Sequence, residues 1–138
     1  MVTTRVYSKS FTVPADVIDE NGHVNNVAYL QWMQAIAVEH YSSIGGIEAQ
    51  GQNFTWWVRE HRVEYLLPAF EGEELEIRTW VENIRRVRSL RKYEFVRKSD
   101  GRLLVKGETD WVFVDTKSGR PVPIPEEVSR VFHLSDDE

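Results

Sequence analysis

No cysteine occurs among the 138 residues. That absence removes thiol nucleophiles, disulfides, iron–sulfur clusters and thiolate zinc sites together. Nor is there an uninterrupted apolar run of about 18 residues, so no segment qualifies as a membrane-spanning helix. Excess positive charge is also missing. The formal net charge is −5 at pH 7, which opposes sequence-independent binding to nucleic acid or to an anionic membrane surface. The opening stretch MVTTRVYSKSFTV has neither the charged-then-apolar build nor the small-residue cleavage site of a secretory signal. These absences point to a cytoplasmic setting, in which the Asn53-Phe54-Thr55 sequon has no route to glycosylation. The histidines, His23, His40, His61 and His133, fall at no metal-ligand spacing, so neither a metal nor another cofactor is expected.

What is present fits one compact domain spanning residues 1–138. Hydrophobic residues make up 41% and aromatics 12% of the chain, enough for a single core at this length. Arg5 to Val13 alternates loosely and stops at Pro14, as a strand would. A polar loop, Ala15 to Asn25, leads into a helix over Val27–Ile44. There Leu30, Met33, Ala37, Tyr41 and Ile44 recur at three- and four-residue steps, and Gly45-Gly46 ends the run. Asn25 or Asn26 caps its start. Strand character returns over Phe54–Leu66, Glu74–Ile84, Val87–Lys98 and Leu103–Asp115, separated by short connections that include the hairpin signal Asp100-Gly101. Connections this short imply an antiparallel meander. A short helix over Glu126–Phe132 follows a proline-broken segment. A single apolar-striped helix must bury its stripe against the sheet, so an α+β fold with a long central helix wrapped by a curled antiparallel sheet of about five strands is expected. Long strands leave an exposed edge, and edge pairing into a homodimer or homotetramer would cover it.

Asp19 to Asn26 concentrates polar chemistry beside the helix start. A helix N-terminus presents unpaired amides and partial positive charge, suited to an oxyanion. Asp19 supplies a carboxylate just upstream, and Gly22 permits a sharp turn or close approach by a ligand. A base and a set of donors are the minimum for cleaving an acyl bond. Asn and Asp are also the preferred capping and turn residues, so the residues alone leave open whether this is only a cap.

The stretch Asp19-Glu20-Asn21-Gly22-His23-Val24-Asn25-Asn26-x-x-Tyr29 resembles the D-x-N-x-H-V-N-N-x-x-Y segment of hotdog-fold acyl thioesterases, notably the plant and bacterial acyl-ACP enzymes. The spacing of Asp19, Gly22, Val24, Tyr29 and Leu30 is similar to that of the 4-hydroxybenzoyl-CoA thioesterase branch. The resemblance implies the hotdog fold and hydrolysis of an acyl-CoA or acyl carrier protein thioester. It implies Asp19 as nucleophile or general base, Asn21 and His23 as the polar pair that orients substrate, water or carboxylate, and the backbone N–H near Asn26 as oxyanion donor. The Glu-Cys pair of the plant enzymes is replaced here by Leu67-Pro68-Ala69, which shifts weight to Asp19. Two other readings use the same loop: a hydratase or dehydratase pairing His23 with Asp19 or Glu39, and a non-catalytic module that binds an acyl group.

Gly22 and Tyr29 are candidate substrate contacts beside the loop. Of the adjacent pair Trp56-Trp57, one must leave the core, because neighbouring strand residues face opposite sides; Trp57 is the candidate ligand wall. The stretch RRVRSLRKYEFVRK, Arg85 to Lys98, holds seven basic residues against the single acid Glu94. Arg86 and Arg88, with Arg59 from a neighbouring strand, are candidate contacts for coenzyme A phosphates or the acidic surface of a carrier protein.

Overall fold

A computed structural model describes residues 6–132; Arg5, taken above as the first residue of the opening strand, and His133 lie outside the described residues. Five strands, β1 (Tyr7–Thr12), β2 (Phe54–Tyr65), β3 (Glu74–Arg85), β4 (Arg88–Arg97) and β5 (Leu103–Asp115), form one antiparallel sheet in the order β1-β3-β4-β5-β2. The α-helices are α1 (Asn26–Ser43), α2 (Gly46–Gln50) and α3 (Glu126–Arg130), and a 3-10 turn at Ala15–Val17 follows β1. A long helix held against a curled five-stranded sheet is the hotdog arrangement, as expected.

The meander extends only over β3, β4 and β5. β2 pairs with β5 rather than with β3, its sequence neighbour among the strands. The reason lies in residues 66–73, which are no hairpin but a strap across one end of the sheet. Leu66 and Leu67 donate to Leu104 O at the start of β5, and at the other end Gly72 donates to Val13 O, just past β1. Midway, Ala69 O accepts from Val24 N, fastening the strap to the loop before α1. The β3–β4 turn is tight, with Arg86 at φ 47°, the one non-glycine residue with positive φ among those described.

α1 buries Ala28, Tyr29, Met33, Ile36, Ala37, His40 and Tyr41. The first core cluster joins Tyr29, Met33 and Ile36 to Leu75, Phe95 and Leu104 of the sheet. Full burial of a side chain such as Met33 or Phe95 contributes about 1.5–3 kcal/mol. β5 has a glycine where the helix comes closest, since a Cβ at Gly107 would lie 2.8 Å from Met33 Sδ. A second cluster gathers Tyr41, Val81, Phe113, Val128 and Phe132 around the C-terminal half of α1. The opposite face of α1 is not uniformly polar: Val27 and Val38 are exposed there.

α2 is an element that the sequence pattern does not announce, being five residues long and beginning at a glycine. Gly45, in the left-handed region at φ 85°, ends α1 as expected, and the chain restarts as a helix at Gly46. A Cβ at Gly46 would collide with the Tyr41 ring. Replacing Gly46 by Ala is therefore expected to destabilise the protein by about 1–3 kcal/mol, the usual cost of overpacking. A urea midpoint equal to the parent's would show that the ring moves aside freely. Among the described residues, no helix is long and apolar enough to cross a membrane.

Candidate active site

The loop before α1 closes on itself. Ile18 and Val24 form an antiparallel bridge, Asp19 N donates to His23 O at 3.0 Å, and Gly22 N donates to Asp19 O at 3.0 Å. Gly22 turns the chain at φ 86°, a conformation that glycine adopts at low cost. Asp19 Oδ1 accepts from the Asn21 amide at 2.9 Å, the bond an aspartate makes in a turn of this type. Its other oxygen makes no hydrogen bond among the described residues.

Asn25, not Asn26, is the cap. Its Oδ1 accepts from Ala28 N at 2.9 Å while its Nδ2 donates to Val17 O at 2.8 Å. One side chain thus closes the helix start and holds the preceding turn beneath it. Asn26 becomes the first helical residue and is exposed. Among the described residues the amides of Asn26 and Val27 have no protein acceptor. They are the donors that a helix N-terminus leaves open.

A cavity of about 230 Å³ opens at this helix end, lined by His23, Asn26, Tyr29, Tyr65, Leu66 and Pro68 among others. Tyr65, at the end of β2, donates to Asn26 O at 3.1 Å and stands 5.6 Å from the Tyr29 ring. Burial, before the nearby Tyr65 and Glu73, pushes the Tyr29 phenol up to about 12, so it stays neutral and can donate but not act as a base near neutral pH. His23 is half-buried with its ring edge-on to Phe70 at 6.3 Å.

The fold therefore brings His23, Asn26 and Tyr29 to one cavity, with Asp19, Asn21 and Gly22 on the adjoining loop. Asp19 itself does not line the cavity. The remaining candidates stand elsewhere in the single chain. Trp57 is exposed, as the strand alternation requires, and lies against Gly119. Arg59 and Arg88 both converge on Asp110 of β5, Arg59 at 3.3 Å, and Arg86 occupies the β3–β4 turn. The basic stretch is less unbalanced than its own sequence implies. Asp110 meets Arg88, Glu108 meets Lys92, and Asp100 and Glu73 meet Arg97. These acids come from other strands and turns, which inspection of one strand does not reveal.

Arg91 departs furthest from the sequence reading. Counted there only as one of the seven basic residues of Arg85 to Lys98, it points inward and is buried, beside Ser89, Tyr93 and Phe95 on the helix-facing side of β4. Its Nη1 donates to His40 Nδ1 at 2.9 Å and to Thr79 Oγ1 at 3.1 Å. Burial and then the Arg91 charge hold His40 down to about 4, so its ring is neutral near pH 7 and accepts from Arg91.

A long helix wrapped by a curled antiparallel sheet, its N-terminus open at a cavity and the Asp19 loop beside it, defines a hotdog-fold protein. The sequence profile of the thioesterase-like superfamily matches residues 13–132, and the chain belongs to that family. Among solved structures it is similar to a 1,4-dihydroxy-2-naphthoyl-CoA thioesterase from Synechocystis, with 18% identity, a TM-score of 0.84, and coverage of 97% of this chain and 100% of that one. It is also similar to a DHNA-CoA thioesterase from Staphylococcus aureus, at 22% identity and a TM-score of 0.81, covering 96% and 94% of the two chains. At these identities the likeness is one of fold. No curated protein sequence matches the chain significantly.

Proposed function

We propose that this protein is a cytoplasmic thioesterase that hydrolyses an acyl thioester of coenzyme A or of an acyl carrier protein. The observation that carries the reading is the open amide of Asn26 at the mouth of a cavity, next to a loop that presents Asp19. Membership of the thioesterase-like superfamily supports it.

In this reading the acyl group enters the cavity beside Tyr29, with its carbonyl oxygen against the Asn26 amide. Asp19 takes a proton from water as the hydroxide attacks the carbonyl carbon, or attacks that carbon itself to form an anhydride. The negative charge that develops on the carbonyl oxygen is held by the helix-start amides, which need no reorganisation. Collapse breaks the C–S bond, and the departing thiolate takes the proton that Asp19 removed from water; on the anhydride route solvent protonates the thiolate, and water then hydrolyses the anhydride to the free acid and the Asp19 carboxylate. Asn21 fixes the Asp19 carboxylate through its amide, and His23 orients water or substrate at the rim. Single-turnover hydrolysis in ¹⁸O water separates the two routes, because only the anhydride route can leave label in Asp19.

Arg59 and Arg88 keep about half of their side-chain surface open, at 56% and 49%, despite their shared contact with Asp110. With Arg86 and Trp57 they are proposed to meet the carrier: coenzyme A phosphates or the acids of a carrier protein. β2 is a 12-residue strand at the sheet edge, and we propose that pairing there assembles a homodimer or homotetramer. A monomeric mass by light scattering would remove that part of the reading. The activity itself is tested by free-thiol release from a panel of acyl-CoA and acyl-carrier-protein thioesters. Release well above the uncatalysed rate is expected. Tight binding of every thioester without turnover would instead make the protein an acyl-binding module.

A further inference from the structure

A second cavity, about 180 Å³, lies along α1 at Ala37, Val38 and Tyr41, on the C-terminal side of the residues that line the first. The two meet the helix eight residues apart, at Tyr29 and Ala37, which on an α-helix is about 12 Å. Its walls are largely apolar, with Tyr41, Trp56, Trp111 and Phe132 supplying ring surface and Val81 part of the floor. Among the described residues, Arg91 is the one ionised side chain in that lining.

Arg91 is only 4% exposed, and its surroundings are neutral. His40 accepts from Nη1 as a neutral ring. Thr79 accepts from Nη1 and donates its own hydroxyl to Lys92 O at 2.9 Å. Tyr93, whose phenol burial pushes up, is neutral too. Phe132 faces the guanidinium at 6.0 Å. No aspartate or glutamate pairs with Arg91 among the described residues, and its Nε and Nη2 have no acceptor there. A guanidinium carries five N–H donors, and a buried charge without a counterion is costly enough that proteins rarely keep one. An arginine held this way, on the wall of an apolar cavity, turns charged N–H donors toward an anion that enters it.

We propose that this second cavity is a binding site for a small apolar monocarboxylate, whose carboxylate takes the free N–H groups of Arg91 while its hydrocarbon body fills the space among the aromatic rings. The volume sets the size: an apolar cavity of about 150 Å³ accommodates benzene, so a body of about six carbons fits. Benzoate and hexanoate are the matching probes. The site goes beyond thioester hydrolysis, since it is served by residues that the catalytic loop does not use. A rival counterion is the chain's own acidic stretch, Asp136-Asp137-Glu138, which follows Phe132 closely in sequence.

The test reads binding without turnover, so it is independent of whether the protein is a thioesterase. The full chain is titrated with benzoate and hexanoate, and with benzyl alcohol and hexanol as uncharged counterparts, following tryptophan fluorescence and the thermal midpoint. Trp56 and Trp111 line the cavity and act as reporters. Saturable binding is expected for the carboxylates, about tenfold or more tighter than for the alcohols, as befits a charge-assisted hydrogen bond. Arg91→Met should abolish that preference, and Arg91→Lys should keep part of it. Equal affinity for acids and alcohols in the parent chain would overturn the proposal, even if the Arg91 variants fail to fold. So would carboxylate binding that is unchanged in Arg91→Met. Binding that appears only after Asp136, Asp137 and Glu138 are replaced by their amides would assign the role to the chain's own acids instead.

Discussion

Asp19→Asn is expected to lower thioester hydrolysis by roughly 10²–10⁴-fold, the range that a positioned acid–base group contributes. The fold should survive. Asp19 is partly exposed, and among the described residues its one side-chain hydrogen bond is from the nearby Asn21 amide at 2.9 Å. Asparagine keeps an oxygen for that bond, so the turn persists while the negative charge and the basic site disappear. The parent and variant should therefore share a thermal midpoint and differ in turnover, with the Michaelis constant little changed. Turnover close to the parent's would remove Asp19 from the chemistry. A matching fall in stability would instead place it among the structural turn residues.

The second large effect is on stability in mild acid. His40 is 3% exposed, stacked on Tyr7 with ring centroids 5.0 Å apart, and held down to about 4 by burial and then by Arg91. An unfolded chain protonates the same imidazole near about 6.5. Between those two values the unfolded state binds the proton and the native state does not, so stability rises with pH across the window. The contribution is complete above the unfolded value and is lost as the pH falls toward about 4. From about pH 7.5 to about pH 5 the expected loss is on the order of 2 kcal/mol. The lowered carboxyls of Glu39, Asp100 and Asp115 work further down, where carboxylates protonate, and do not mimic it. Urea unfolding at the two pH values measures the effect. His40→Gln keeps an acceptor for Arg91 but cannot titrate, and should remove most of the dependence, leaving the smaller part that belongs to His61, whose imidazole burial also holds down. The same slope in that variant would locate the acid sensitivity elsewhere.

Which parts could be read from the sequence follows from the range of each interaction. Strand bounds are carried by period-two alternation, and Leu103–Asp115 falls where the pattern places it. The turn at Asp100-Gly101 is local chemistry, with Gly101 at φ 73° and the Asp100 carboxylate accepting from Arg102 N. The α1 bounds differ by one residue at each end; at the start two adjacent asparagines compete for the cap, and Asn25 takes it while its Nδ2 holds Val17 O. Strand order was not legible, since pairing of β2 with β5 joins residues far apart in the chain and leaves no local mark. Arg91 was hidden for a different reason. Charge on a strand is ordinarily read as solvent-facing, and its partners His40 and Thr79 come from other elements. The candidate site divides along the same line. The Asp19–Asn26 cluster is contiguous and could be seen as a unit, whereas the wall added to its cavity arrives from Tyr65 at the end of β2 and from Leu66 and Pro68 in the strap that follows.

The strand order also fixes a sequence of events when the chain folds. β1 and β2, the first two strands to be made, are the two opposite edges of the sheet, and they have no hydrogen bonds to one another. Neither can acquire its ladder until β3 and β5 exist, so α1 emerges with its apolar face uncovered and stays so until nearly the whole chain is available. The local hairpins of β3, β4 and β5 have the low loop-closure cost and are placed to nucleate. In pulsed hydrogen exchange during refolding, amides of those three strands should gain protection before those of β1 and β2. Simultaneous protection of all five would mean that the edges condense with the centre. For this fold, truncation near the C-terminus is thus a different injury from truncation near the N-terminus: losing β5 strands both the helix and β2, while losing β1 removes one edge from a sheet already built.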